Sequence, residues 1–347
     1  MEKKSYKALG LMSGTSCDGL DIAYCQFNFQ DNTWSYEIIT SSMVEYSLQW
    51  RDKLKNANQL NTAQLELLDI ELGQFFGSET KKFIESNKLT EVDFVASHGH
   101  TIFHNPDKGF TLQIGNGNEI KKQVETPVIN DFRSADVAHG GQGAPLVPIG
   151  DELLFSEYDF CVNIGGIANV SFKENGVRKA FDICIANMAL NPLALEMGFE
   201  YDKNGDFAKQ GVVSYPLMKK LMLLNFDKKS LGIEQYEEFL KPIIDQNISI
   251  DESKIATVTD YIARKIAEVL TPNSKVLITG GGAYNSFLMS KIKEYSKANV
   301  IAASKELIEF KEALIFAFLG VLKMENIPNC LSSVTGASED VVGGVVV

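Results

Sequence analysis

Leu9-Gly-Leu-Met-Ser-Gly-Thr-Ser-Cys-Asp-Gly-Leu-Asp21 places a glycine-centred turn between two β-like runs, and Phe160-Cys-Val-Asn-Ile-Gly-Gly-Ile-Ala-Asn-Val-Ser-Phe172 does so again nearly half a chain later. Glycine reaches φ > 0 without steric cost and lets backbone N–H groups approach a bound group closely. Concavities lined by such N–H groups suit anions. One device in each half points to two lobes gripping one phosphate chain. Working outward, residues 6–11 and 21–29 read as a hairpin, 33–46 as further β structure, and 62–86 as an amphipathic helix from Leu65, Leu68, Leu72, Phe75, Phe76 and Phe83. Short strands follow at 93–96, 111–114 and 128–132, the first ending at a polar loop. The pattern then restarts, with a helix near 150–157, the hairpin 160–172, a strand 179–184 and helices near 186–197, 213–224 and 254–270. Lys275–Thr279 reads as a strand running into Gly280-Gly-Gly282, a helix starts near Asn285, and the last helix covers 309–325. A hairpin followed by alternating helices and strands, twice, implies a duplicated α/β architecture with a cleft between lobes. The restart sets the expected boundary at 130/131, giving domains 1–130 (with the C-terminal helix as a possible addition) and 131–347.

A chain of 347 residues exceeds what one hydrophobic core usually supports. Its net charge of −12 argues against nucleic acid or an anionic membrane as partner, since both need a basic footprint. The five cysteines are scattered with no C-x-x-C pair, which reads as reduced thiols and a cytoplasmic protein. No run approaches the ~20 apolar residues of a membrane helix.

The first loop offers Gly14, Thr15, Ser16, Cys17, Asp18, Gly19, Leu20 and Asp21. Hydroxyls and N–H groups can ligate phosphate, and a nearby carboxylate can hold Mg²⁺ through water; a plain polar hairpin turn is the alternative. Neither a Walker A loop nor G-x-G-x-x-G occurs. Gly165-Gly166 and Gly280-Gly281-Gly282 add further points of close approach, the latter opening a helix that favours anions. Ser97-His-Gly-His-Thr-Ile-Phe-His104 could be a substrate loop, a surface loop or a metal site. Arg133 follows a strand end and suits a carboxylate or phosphate, or else a salt bridge with Asp131 or Asp136. Asp182 closes an apolar strand as either a helix N-cap or a positioned base.

Taken together, these segments resemble the anhydro-N-acetylmuramic acid kinase family of the actin/sugar-kinase/heat-shock ATPase superfamily. The matching blocks are Gly10–Asp21, Ser97–Thr101 with His104 and Pro106, Thr111–Gly115, Asp131-Phe-Arg133 and Gly140–Pro148. Asn163–Asn169, Gly280–Asn285, Glu312-Ala and Thr335-Gly-Ala337 complete the set. The resemblance implies a two-domain, duplicated actin-like ATPase (ribonuclease H-like) fold with an interdomain cleft that takes ATP and Mg²⁺. It also implies hydrolytic opening of 1,6-anhydro-N-acetylmuramic acid with phosphorylation of O6, giving N-acetylmuramic acid 6-phosphate from recycled cell wall, and a homodimer. Residues 14–21 with Gly165 and Gly166 would hold ATP phosphates, Asp18 would hold Mg²⁺ through water, and Gly280 to Gly282 would lie near the nucleoside. Thr101, Arg133 and Asn187 would contact the sugar. Asp182 would be the general base, taking a proton from the water that attacks C1 while the freed O6 attacks the γ-phosphorus.

The chain departs from the family in three places. Phe181-Asp-Ile-Cys-Ile-Ala-Asn187 stands where the family usually has Phe-Asp-Thr-Gly-Pro-Gly-Asn. His100 replaces a glutamine, and Ile233 replaces a basic residue within Lys229-Ser-Leu-Gly-Ile-Glu234. These changes keep two other readings open: a nucleotide- or muropeptide-binding relative with weakened catalysis, or a kinase for another anhydro sugar. A metal-dependent hydrolase built on His98, His100 and His104 is the third.

Overall fold

Strand β1 (Lys4–Ser13) stops at Ser13 and β2 (Gly19–Gln30) begins at Gly19, so the loop Gly14–Asp18 forms the tip of the first hairpin. The computed structural model describes residues 4–224, 226, 231–247 and 250–347. Lys229 and Ser230, the start of the block that contains Ile233, lie outside the described residues.

The chain divides into two units, Met1–Leu154 with Phe310–Val347, and Phe155–Glu309. The observed division falls at 154/155 rather than 130/131. The reason is that residues 131–154 extend the first unit: Asp136 accepts a hydrogen bond from Thr335 (2.7 Å), and Lys311 pairs with Asp151 at 2.7 Å in a buried setting. Residues 310–347 therefore return to the first unit.

In the first unit the sheet order is β12–β6–β4–β1–β2–β3, with β3 Thr33–Glu45, β4 Phe94–Asn105, β6 Val128–Asn130 and β12 Val345–Val346; β5 (Phe110–Ile114) pairs with β4. β1, β2 and β3 run antiparallel, whereas β1–β4 and β4–β6 are parallel. In the second unit the order is β11–β10–β7–β8–β9, with β7 Phe160–Ile164, β8 Ile167–Glu174, β9 Val177–Ile185, β10 Lys275–Thr279 and β11 Asn299–Ala302. Here β7, β8 and β9 are antiparallel while β10 is parallel to both β7 and β11. The same five-strand order and the same directions thus occur twice. This is the duplicated α/β architecture that the two hairpins predict, in the ribonuclease H-like form that the resemblance implies.

Helix Thr62–Ser86 starts where expected because Asn61 and Gln64 form a reciprocal capping box. Its Leu68, Leu72, Phe76 and Phe83 pack with Leu9, Leu11, Ile22 and Val95 of the sheet. On β1 all residues from Ala8 to Ser13 are buried, as a strand covered on both faces must be. Part of that cover is helix Lys305–Met324: a Cβ on Gly10 would lie 1.9 Å from the Ala313 carbonyl oxygen. In the second unit, Val162, Ile164, Ile185 and Ile278 of the sheet pack with Tyr261 and Ile262 of helix Asp251–Ala267 and with Leu288. No helix among the described residues is long and apolar enough to cross a membrane.

The polar loop expected after Ala96 is absent: Ser97–Asn105 continues β4 and pairs with β5, His100 opposite Ile114 and His104 opposite Thr111. Its buried Ser97, His98 and His100 find partners inside the unit, which lowers the cost of burying them.

Because the Gly10 backbone already touches Ala313, Gly10→Ala should lower the unfolding free energy by about 1–3 kcal/mol or more. Urea unfolding monitored by circular dichroism checks this, and wild-type stability would contradict the packing described.

Candidate functional site

In the first unit the Gly14–Asp18 loop is a tight turn. The Cys17 N–H donates to the Gly14 carbonyl at 3.1 Å, and Cys17 sits at φ 57°. Thr15, Ser16 and Asp18 are exposed, while Gly14, Gly19 and Asp21 are half-buried. The side chains of Cys17 and Leu20 point into the core, so these two can serve a ligand only through their backbone. Glycine at 19 has a packing cause, since a Cβ would meet the Val44 carbonyl oxygen at 2.4 Å. Gly14 has none: its nearest neighbour would be the Ser16 hydroxyl at 3.6 Å.

Thr101 is half-buried on β4 and accepts from Gln113 at 3.4 Å. Arg133 precedes helix Ser134–Ala138. Its Nε and Nη2 donate to His98 Nε2 at 3.2 and 2.9 Å, and its Nη1 donates to the Gly143 carbonyl at 2.6 Å. Asp131 and Asp136 make no hydrogen bond to it: Asp131 accepts from the Ser134 N–H, and Asp136 from Gly143 N–H and Thr335, acting on Arg133 through its charge alone. The nearby Glu312 carboxylate supports the guanidinium charge against burial. Because His98 Nε2 accepts from Arg133, Nδ1 must carry the proton that it donates to the Gly99 carbonyl at 2.9 Å. Burial first, and the Arg133 charge next, hold His98 neutral, well below the usual histidine range.

His100 is likewise neutral, pushed down to about 4 by burial. Its Nδ1 lies 2.9 Å from Ser13 Oγ. His104 is exposed and meets Thr111 Oγ1 at 3.2 Å. The three histidines therefore have separate protein partners, and no cluster of three or more metal-ligating side chains occurs among the described residues. The hydrolase reading loses its site.

In the second unit, turns that stood apart in the sequence converge at the ends of β7 and β10. A Cβ on Gly280, which adopts φ 79°, would meet Asn163 Oδ1 at 2.6 Å, and one on Gly282 would meet the Ile164 side chain at 2.2 Å. Gly281 faces the Asn187 amide, and Asn187 Nδ2 donates to the Ile164 carbonyl at 3.4 Å. The N–H groups of Ala186 and Asn187 donate to the carbonyls of Gly166 and Gly165 at 2.8 and 3.1 Å, which ties helix Asn187–Glu196 to the same turn. Gly165 and Gly166 themselves would tolerate a Cβ, with no neighbour closer than 3.5 Å. Gly14, Gly165, Gly166 and Gly281 therefore share open surroundings that the chain's own packing does not explain.

Asp182 lies within β9, opposite Asn169, and is half-buried. It caps no helix there, because the residue preceding helix Asn187–Glu196 is Ala186. Its Oδ2 accepts the Leu231 N–H at 2.7 Å. Burial raises its pKa and the Leu231 bond partly opposes the rise, so the carboxylate is a stronger base than a surface aspartate. Ile183, Cys184, Ile185 and Ala186 are all buried in the core. Sequence reasoning missed Asn163 as the contact of Gly280, the His98–Arg133 pair, and Tyr46, whose N–H donates to the Asp18 carbonyl at 3.0 Å. Asn163 sat inside a recognised block; Tyr46 carried no sequence signal.

A sequence profile for anhydro-N-acetylmuramic acid kinase matches residues 6–347. The chain belongs to the anhydro-N-acetylmuramic acid kinase family. Relatives bearing that name include a Francisella tularensis subsp. novicida protein, 33% identical over 97% of each chain. Another, from Sulfurimonas denitrificans, is 31% identical over 97% of this chain and 98% of its own. A third, from Bacillus cereus, is 33% identical over 96% of this chain and 97% of its own. Among solved structures, component A of the (R)-2-hydroxyglutaryl-CoA dehydratase of Acidaminococcus fermentans aligns with a TM-score of 0.44 and 14% identity, over 90% of this chain and 96% of that one. So loose a likeness carries no conclusion.

The neutral histidines make stability depend on pH. Unfolded, His98 and His100 take up protons near pH 6.5; folded, both resist, His100 down to about 4. Their contribution is complete above pH 6.5 and is lost as pH falls toward 4, by up to ~1.4 kcal/mol per pH unit for each histidine. His100→Gln should flatten that slope in urea titrations across this window, and a slope parallel to wild type would refute the assignment. Separately, Gly282→Ala should lower the melting temperature by several degrees, as overpacking of about 1–3 kcal/mol does. Gly166→Ala should leave the melting temperature at the wild-type value in the same scan.

Proposed function

We propose that the protein is an ATP-dependent kinase that opens 1,6-anhydro-N-acetylmuramic acid with water and phosphorylates O6, yielding N-acetylmuramic acid 6-phosphate in cell-wall recycling. The observation that carries this reading is the family match from residue 6 to residue 347. Asp182 takes the proton from the attacking water as oxygen bonds to C1. The C1–O6 bridge breaks, O6 keeps the electron pair, and O6 then bonds to the γ-phosphorus as ADP leaves. The raised basicity of Asp182 suits that role.

On the first unit, residues 14–21 serve the ATP phosphates through Thr15, Ser16 and backbone N–H groups; on the second, Gly165 and Gly166 have open surroundings that suit the same role. Gly280–Gly282 serve the nucleoside, and Thr101, Arg133 and Asn187 the sugar. Exposed Asp18 offers the hard oxygen donor that Mg²⁺ prefers, through water. When bound, the ion supplies charge neutralisation at the transferred phosphoryl group. A cytoplasmic homodimer belongs to the same reading.

A second reading has its own support: the family's glycines in the 183–186 segment are replaced by buried residues. On that reading the protein binds nucleotide or muropeptide with weakened turnover, or phosphorylates another anhydro sugar. A coupled ADP-release assay over a panel of anhydro sugars separates the two. For the main reading, Asp182→Asn should lower kcat by about 10²–10⁴-fold while ADP binding persists. Product formation followed by ³¹P resonance tests this, and equal turnover by the variant removes Asp182 from the chemistry.

A further inference from the structure

The Gly14–Asp18 loop has a support whose role the proposed reaction does not assign. His100, on β4, reaches both ends of the loop: Nδ1 to Ser13 Oγ at 2.9 Å, before the turn, and Nε2 to Cys17 Sγ at 3.9 Å, within it. Tyr46 does the same from the end of β3. Its hydroxyl meets Ser13 Oγ at 2.7 Å, and its N–H donates to the Asp18 carbonyl at 3.0 Å. Tyr46 is itself held, with its ring 5.8 Å from that of Phe75 and its carbonyl accepting from Arg51 at 3.1 Å. Ser13, Cys17, Tyr46 and His100 are all nearly inaccessible to solvent, so these bonds do not compete with water. Directly above them, Thr15, Ser16 and Asp18 remain exposed.

We infer that His100 and Tyr46 are positioning residues for the Gly14–Asp18 loop, fixing the backbone that receives the phosphates of a nucleotide. The inference rests on the nucleotide-binding reading given above. A loop with three exposed polar residues and a glycine would otherwise sample many conformations, and ordering it at the moment of binding weakens affinity. Every bond of the clamp is made between groups of the protein itself. Neither residue touches the ligand; each acts through Ser13, Cys17 or the Asp18 carbonyl. The glutamine usual in the family at position 100 can place its amide near the site of His100 Nε2, so it keeps one of the two links.

The test is calorimetric titration of the full chain with ADP and Mg²⁺, and separately with 1,6-anhydro-N-acetylmuramic acid, using wild type, His100→Leu, His100→Gln and Tyr46→Phe. Losing hydrogen bonds worth about 1 kcal/mol each should raise the Kd for ADP roughly 5–10-fold in His100→Leu and in Tyr46→Phe. Affinity for the sugar should stay at the wild-type value, and His100→Gln should recover most of the ADP affinity. Tyr46→Phe keeps the ring packing, so it decides the matter if His100→Leu fails to fold. Unchanged ADP affinity in the folded variants overturns the inference while leaving the nucleotide reading intact. A change in sugar affinity instead would show that His100 acts through neighbouring Thr101, and also overturns it. Wild-type protein that binds no ADP overturns the reading and the inference together.

Discussion

The contact on which the first unit depends is backbone against backbone: β1 lies so close to helix Lys305–Met324 that Gly10 has no room for a side chain beneath Ala313. The same helix meets β4, where a Cβ on Gly320 would come within 2.4 Å of the Phe94 ring. Such approaches leave little freedom for the strands to slide, because close-packed interiors transmit displacement rather than absorb it. The consequence is felt at the strand ends. Ser13 and His100 are partners across the β1–β4 pair, so the helix that pins these strands also sets where the Gly14–Asp18 loop begins.

The second unit solves a similar problem with a different outcome. Gly280 and Gly282 are required by the backbone and side chains of Asn163 and Ile164, and they hold β10 against β7. Between the half-buried Asp182 and Asn187, the sequence has Cys184 and Ala186 where glycine is usual and Ile183 and Ile185 where threonine and proline are, and all four side chains join the core. None of these residues adopts a positive φ; Ile183, Cys184 and Ile185 complete β9, and Ala186, at φ −123° and ψ −103°, leaves it before the next helix. Asp182 and Asn187 frame the stretch, and the residues between them serve packing.

Both hairpins, the capped helix Thr62–Ser86 and the duplicated sheet could be read from the sequence, because glycine turns and apolar periodicity are local signals. Ser97–His104 misled for a physical reason. Histidine and serine resemble loop composition, and their burial is made possible by partners far along the chain: Ser13 for His100 and Arg133 for His98. The alternatives for Asp182 framed it as a cap or a base, yet the bond it makes is with Leu231, in a segment that sequence alone does not bring near. Asp131 and Asp136 were plausible partners for Arg133 by proximity in sequence. Both instead order the loops around it. The boundary near 130 was misplaced because no linker composition marks it, and only tertiary contacts of Asp136 and Asp151 assign that stretch.

The second unit occupies one continuous stretch, Phe155–Glu309, whereas the first is completed only by Phe310–Val347. During synthesis, every residue of the second unit has therefore left the ribosome before the helical cover of Gly10 exists. Until then β1 and β4 wait with one apolar face bare, and the edge strand β12 that pairs with β6 emerges later than that helix. Nascent chains of the first unit thus expose sheet surface for more than a hundred codons (the span of the second unit), which is the kind of surface that chaperones bind.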